Sequence, residues 1–457
     1  MRKVILFSIA LFASSFASFV TYAVTLEEAL TSAYQNHEDL KIIRSDFLNE
    51  IEQFPRALAG FMPRVTAGFD ATDTKTTRKG IPSAGIDNIT TNSTRYSKNI
   101  ALEQPIFNGG SSMAELKAAQ SSYRASKGNY YAKEQNIIFD EINTYLNCAE
   151  AFEKYNISKI SVKSNKKQLE AVKEKFRLGE STETEVASAE TGLATAEANQ
   201  ALAYANVEAS KANFSRIFAI NSDGVKIPSV STNMPVSFDE FVEKSVKNNP
   251  AIYAADHSTK ASKAGELIAK GALLPQVSLR IQKGINTFNP QSINRSEINN
   301  ESVTSTLSVN VPILSRGGVE YSDVRRAKYQ TKKTVIQLDS QIKQVRANAK
   351  ATWEAFAAAH TRVDATMQGV KSAEVAYEGT IQEELLGSKT IVDVLNAEEK
   401  LNRAREARIE AQKELVLASY RIKSLMGELT AERLNLPVEY FDPDTEFKKV
   451  KLKIVGF

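Results

Sequence analysis

The stretch Pro312-Ile313-Leu314-Ser315-Arg316-Gly317-Gly318 ends a run of alternating apolar and polar residues and begins a helical spacing that continues to Gly387. An earlier stretch, Pro105-Ile106-Phe107-Asn108-Gly109-Gly110, makes the same change and leads to Gly179. The Gly-Gly pairs and the later single glycines share an offset of 208 residues, which also carries Ala189-Glu190 onto Ala397-Glu398. Upstream, Thr25-Leu26-Glu27-Glu28-Ala29-Leu30 with Asn36 aligns with Ser237-Phe238-Asp239-Glu240-Phe241-Val242 with Asn248 at an offset of 212, and Pro63 falls on Pro275. A chain of 457 residues thus reads as one unit of roughly 210 residues used twice, not as three unrelated domains.

Ahead of each Gly-Gly the period is two. Val277, Leu279 and Ile281 alternate with Ser278, Arg280 and Gln282, and Val303, Leu307, Val309 and Val311 alternate with Thr304, Thr306, Ser308 and Asn310. The first copy is weaker but similar: Val65, Ala67, Phe69 and Ala71, a polar loop from Lys75 to Ser93, then Ile100 and Leu102. Strands are therefore expected near 63–76, 94–105, 276–288 and 302–312. Alternation alone fits a half-buried hairpin on a soluble core or a membrane strand; the lack of any other apolar partner sheet favours the membrane.

Behind each Gly-Gly the spacing is 3,4,3,4. One seam runs Leu338, Ile342, Val345, Ala349, Thr352, Phe356, Ala359, Val363, Thr366, Val370, Ala373 and Tyr377. A second, Val394, Ala397, Leu401, Ala404, Arg408, Ala411, Leu415, Ala418, Ile422 and Leu425, follows Gly387-Ser388-Lys389-Thr390, and the first copy turns likewise at Gly179-Glu180-Ser181-Thr182. At 1.5 Å per residue the outgoing helices reach roughly 105 Å and the return helices only ~60 Å. A leading helix of ~50 Å in each copy has the length to fill the gap by stacking end to end on a return helix.

Glycine (20) and proline (12) are scarce and 25% of residues are charged, which suits long helices and argues against extended disorder. Met1-Arg2-Lys3 followed by an apolar run from Val4 to Ala13 and Thr21-Tyr22-Ala23 reads as a signal peptide over 1–23, cleaved after Ala23 or else after Ala17. The net charge of +4 includes Arg2 and Lys3, too little basic excess for a nucleic-acid partner. Cys148 stands alone, so no intrachain disulfide or Cys/His metal site is expected, and His37, His257 and His360 belong to no nucleophile-base set. The expectation is of no enzyme, no cofactor and no metal. Later stretches hold no run of ~20 apolar residues, so any crossing of lipid must be by strands. Four strands cannot close a barrel; three copies would supply twelve, and two or four copies also satisfy an even count.

The string Gly387-Ser388-Lys389-Thr390-Ile391-Val392-Asp393-Val394-Leu395-Asn396-Ala397, within the duplicated unit, resembles the outer-membrane efflux proteins of the TolC family, a likeness that covers Leu26 to about Gly427. What the resemblance implies is a mixed α and β fold: a homotrimer with a twelve-stranded barrel in the outer membrane, continued by a long helical barrel across the periplasm. The repeats would be 24–236 and 237–427, and the tail 428–457 would join a belt around the helices. Such a duct is the passive exit of a tripartite efflux or type I secretion system, in contact with outer-membrane lipid and partnered by a periplasmic adaptor and an inner-membrane pump or ABC transporter. By the same resemblance Asp393 rings the periplasmic aperture, with Asn396 where relatives carry a second acid. Lys389 stands for a latching Arg, with Thr184 and Glu185 for its Thr-Asp partners and Glu384 for an assisting Tyr. Gly179, Gly387, Val186 and Val394 mark the tips where an adaptor docks.

The residues alone leave plainer readings open. Asp393 suits a helix start, where the dipole favours a carboxylate; Lys389 with Glu185 is an ordinary surface pair; and the tip glycines are helix breakers. The competing function is a periplasmic coiled-coil spacer or adhesin whose hairpins are not membrane strands.

Overall fold

The computed structural model describes residues 24–80, 87–231, 233–290 and 298–453. The expected signal peptide at 1–23 lies outside the described residues, as do the middles of the two polar loops and the last four residues.

Thr25 starts helix α1 (Leu26–Asn36) through a capping box, its hydroxyl accepting from the Glu28 amide while the Glu28 carboxylate accepts from the Thr25 amide. Where the spacing predicts one continuous leading helix, the structure breaks it. The backbone is extended at His37, and α2 (Glu38–Ile51) and α3 (Gln53–Leu58) follow, then a 3-10 turn at Ala59–Phe61. In the second half α6 (Phe238–Asn248) gives way to α7 (Pro250–Gly271) at Asn249. There the cause is local: Pro250 drives the residue before it out of the helical region, and Asn249 caps the new helix through the Ala251 amide at 3.0 Å.

The long helices α4 (Ser111–Arg177) and α8 (Val319–Leu385) have 67 residues each, about 100 Å. Their return helices, α5 (Glu183–Phe218) and α9 (Ile391–Leu425), cover half of that. The leading helices complete the length by end-to-end stacking. Ser32 Oγ donates to the Phe218 carbonyl at 2.6 Å, and Asn249 Nδ2 to the Leu425 carbonyl at 3.2 Å. Helix α7 lies between α4 and α8, so close to α4 at Gly128 that a Cβ there would stand 2.8 Å from the Pro250 carbonyl oxygen. All the seam positions from Leu338 to Tyr377 and from Val394 to Leu425 are buried or half-buried.

Four strands form one antiparallel sheet in chain order: β1 (Arg64–Arg78), β2 (Ile89–Asn108), β3 (Gln276–Pro290) and β4 (Ile298–Asn310). Both hairpins extend beyond the expected strand ends, the first as far as the pair Arg78 with Ile89 and the second to Phe288 with Ile298. The stretch that reads as a polar loop holds Thr76, Thr77, Thr90 and Thr91, whose β-branched side chains suit a strand although they are hydrophilic. β4 stops at Asn310, two residues short of the expected 312.

Register sorts the faces. Arg64, Glu103, Arg280 and Thr306 form one rung, and Asp70, Ser97, Asn286 and Asn300 another on the same face. The opposite face stacks Val65 with Leu102 and Ile281, Ala67 with Ile100, and Leu279 with Leu307. Val65, Phe69, Ile100, Val303 and Leu307 are each around 60% exposed in the single chain, so nothing among the described residues covers the apolar face.

The main core lies at mid-height of the helices, where the tail returns. Leu429, Ala431 and Leu436 are buried there, and Phe447 of α10 (Pro443–Val450) stacks on Tyr123 and meets Phe54 edge-on. Phe441 meets Phe47 at 5.9 Å, edge-on. Asp444 accepts from Tyr123 and Lys127, fixing α10 to α4.

Candidate functional site at the hairpin tips

The two hairpin tips are built alike. Gly179 (φ 80°) and Gly387 (φ 76°) take the left-handed conformation that closes a helix end, and the Glu180 and Ser388 amides donate back to the Lys175 and Glu383 carbonyls at 2.8 and 2.9 Å. Three residues on, Thr182 and Thr390 cap the return helices. Each capping box is completed by an acid: Glu185 Oε2 accepts from the Thr182 amide at 2.9 Å, and Asp393 Oδ2 from the Thr390 amide at 3.0 Å. These amide bonds are the main reason that both carboxyls sit below their usual pKa and stay ionised.

Other expected residues fall differently. Among the described residues of one chain, Lys389 makes no ion pair, so Thr184 and Glu185 are not its partners within the chain; Glu185 bonds to Ser181 and Thr182 instead. Glu384 accepts from Lys175 Nζ at 2.7 Å, an ion pair that joins α8 of one hairpin to α4 of the other. Asn396 is exposed on a cleft of about 860 Å³ between α4, α5 and α9, beside Asn199 and Asn402. Val394 is 3% exposed, packed with Leu169, Val172, Ala189 and Ile391, and Val186 leans on it. Val394 is thus interior in one chain and helps hold the hairpins together, while Val186 stays partly exposed beside it. A Cβ on Gly179 or Gly387 would meet nothing within 4 Å, so the tips themselves are open.

Sequence reasoning missed a second junction, one to two turns above the Lys175–Glu384 pair. Gln168 Nε2 of α4 reaches Glu398 Oε2 of α9 at 2.8 Å and the Tyr377 hydroxyl of α8 at 3.2 Å, and Ser164 Oγ lies 3.1 Å from that hydroxyl. Glu398 is 5% exposed and burial raises its pKa. A signal existed: Ser164, Gln168 and Lys175 recur at four and seven residues on one face of α4, as Tyr377 and Glu384 do at seven on α8. Among the described residues no group of acids, histidines and cysteines is placed to hold a metal, and no helix is long and apolar enough to cross a membrane.

A two-faced sheet is continuous with paired helices of about 100 Å, and the sequence that builds them matches known proteins over nearly its whole length. Residues 30–218 and 241–428 match the outer membrane efflux protein family. The chain belongs to that family. The outer membrane efflux protein BepC of Brucella suis biovar 1 (strain 1330) is 25% identical over 433 residues, 94% of this chain and 91% of the relative. The outer membrane protein TolC of Escherichia coli (strain K12) is 23% identical over 448 residues, 95% of this chain and 88% of the relative. In fold the chain is similar to the Campylobacter jejuni CmeC outer membrane channel, with a TM-score of 0.76 over 99% of this chain and 98% of that one at 17% identity. This member of the outer membrane efflux family is thus an outer-membrane exit duct whose helices extend into the periplasm.

Proposed function

We propose that three chains stand side by side, their sheets closing into a twelve-stranded barrel and their helices into one tube. The observation that carries this is the sheet, with a polar face, an uncovered apolar face and two free edges, β1 and β4. Free edges in hydrocarbon leave backbone groups with no partner, and four strands per chain reach an even, closable number at three chains. Strands of 13 to 20 residues exceed the roughly 9–11 that a tilted strand needs to span lipid. Polar rungs such as Arg64, Glu103 and Arg280 then line water and the Val65, Leu102 and Ile281 face meets lipid. The matching tips at Gly179 and Gly387 support an internal duplication of the unit.

In this assembly the duct is the passive exit of a tripartite efflux or type I secretion system, with a periplasmic adaptor on the open tips and an inner-membrane pump or ABC transporter behind it. Three copies of Asp393 converge to attract cations, with the neutral Asn396 one turn on. Lys389, which makes no ion pair among the described residues of its own chain, is left to meet Thr184 and Glu185 of the next. Cysteines at Lys79 and at Glu180 test the topology on intact cells with a membrane-impermeant maleimide. Labelling at 79 with protection at 180 is expected. Protection at both until the outer membrane is permeabilised would refute the barrel and favour a periplasmic spacer or adhesin.

A further inference from the structure

Charge divides between the two faces of the sheet by residue type. Among the described residues of the strands, the polar face carries Arg64, Arg78, Arg95 and Arg280 against Asp70 and Glu103, and the apolar face carries Lys75, Lys98 and Lys283 against Asp73 and Glu301. Every basic group of the polar face is thus an arginine and every one of the apolar face a lysine. Lysine suits a face turned to lipid, because its flexible stem lets the ammonium climb to the interface, and Lys283 there pairs with Glu301 at 2.6 Å. Arginine on a wetted wall needs another reason. Its guanidinium stays charged and offers a planar fork of donors that matches carboxylate and phosphate oxygens.

Register brings two of the four arginines to one level. Glu103 lies between Arg64 and Arg280, so a single carboxylate faces two guanidiniums. Arg280 Nη1 is 3.8 Å from Glu103 Oε2, and Nη2 donates to Gln282 Oε1 at 3.3 Å. Among the described residues Arg64, Arg78 and Arg95 make no ion pair. Arg95 stands opposite Thr72, roughly 27 Å along the strand from Arg64. Between these levels the wall is amide and hydroxyl, as at Gln282, Asn99 and Ser302, apart from Asp70. We infer that the interior of the barrel is a positively charged conduit that takes anions bearing carboxylate or phosphate groups, with Arg64 and Arg280 setting the preference. The inference rests on the trimeric duct reading, in which this face lines water and three copies of each level ring the bore. Rings of basic side chains select anions, and a water-filled bore walled by lipid focuses their field and concentrates counter-ions within it. An anion that has passed the Asp393 ring at the tip is then drawn on toward the barrel.

The test uses the purified oligomer in planar bilayers, with Asp393→Ala present throughout so that the tip ring does not set the selectivity. Two readings are taken: the reversal potential across a potassium chloride gradient, and the block of current by sodium tripolyphosphate added on the side of the outer mouth. The expected result is a chloride preference and a tripolyphosphate block, both lost in Arg64→Gln with Arg280→Gln and both strengthened by Glu103→Gln. Lys98→Gln with Lys283→Gln, on the face turned to lipid, is expected to change neither. A preference and block that survive loss of the two arginines would overturn the inference, as would their loss with the two lysines or a potassium preference in the protein carrying Asp393→Ala alone. Should the arginine variant fail to assemble, an unchanged response in Glu103→Gln overturns it independently. Absence of current from every assembled protein would instead refute the duct reading and remove the basis of the inference.

Discussion

Gly109 and Gly110 are adjacent, both left-handed (φ 64° and 80°), and both sit where strand β2 passes into helix α4. Their surroundings differ. A Cβ on Gly110 would meet nothing within 4 Å, whereas one on Gly109 would stand 2.0 Å from the Gly271 carbonyl oxygen and 2.8 Å from Leu274 Cβ. Alanine in a left-handed conformation costs roughly 1–2 kcal/mol at either position. At Gly109 the backbone of α7 must also move by more than an ångström, and forced overpacking of this kind adds typically 1–3 kcal/mol. Gly109→Ala is therefore expected to destabilise by about 2–5 kcal/mol and Gly110→Ala by only about 1–2 kcal/mol. The difference acts at the place where the end of α7 is held against the junction of β2 and α4. Thermal unfolding of the detergent-solubilised oligomer, followed by circular dichroism, ranks the variants by apparent midpoint, the appropriate readout for a chain too large for two-state treatment. Equal midpoints, or a larger loss for Gly110→Ala, would refute the claim that close backbone approach, and not the turn conformation, makes Gly109 indispensable.

Three further outcomes are expected. Asp393→Ala weakens block by a trivalent cation added from the tip side in planar bilayers, and unaltered block would place the constriction elsewhere. Glu134, 2% exposed and pushed up by burial to about 7, holds a proton in the folded chain that the unfolded chain has released between about pH 4.5 and 7. Stability should thus fall by about 3 kcal/mol as pH rises through that window, and Glu134→Gln should flatten the dependence of the unfolding midpoint on pH. His37, whose pKa is raised by its bond to Glu141, adds a loss of the same sign as pH climbs beyond 6.5, visible as a residual slope that His37→Gln removes. Phe447→Ala empties the stack on Tyr123 and Phe54, and limited trypsin should then cut at Lys448 or Lys449 where wild type resists.

Local signals in the sequence carry the parts of this fold that depend on neighbours in the chain. The period change at Pro312 to Gly318 locates a strand and a helix because both elements are specified by what lies two or four residues away. The tips are legible for the same reason: Gly387, Thr390 and Asp393 make their bonds within six residues of one another. The break at Asn249-Pro250 was equally visible, as a dipeptide that excludes helix at its first residue. The break at His37 has no such mark. Its imidazole goes to Glu141, 104 residues away, a contact no local pattern announces.

The hairpin junction sits at the far end of that scale. Gln168 and Glu398 are 230 residues apart, and each reads as an ordinary polar position beside an apolar seam; only the fold makes them a buried pair. Val394 fails in the opposite way, because a valine near a tip suits a docking groove as well as an interior, and the arrival of α4 alongside α9 decides for the interior. The two halves of the chain carry like tips at Gly179 and Gly387, yet positions 208 residues apart differ at the junction, Gln168 and Lys175 against Ala376 and Glu383, so the likeness of the halves does not announce which of them bonds across it.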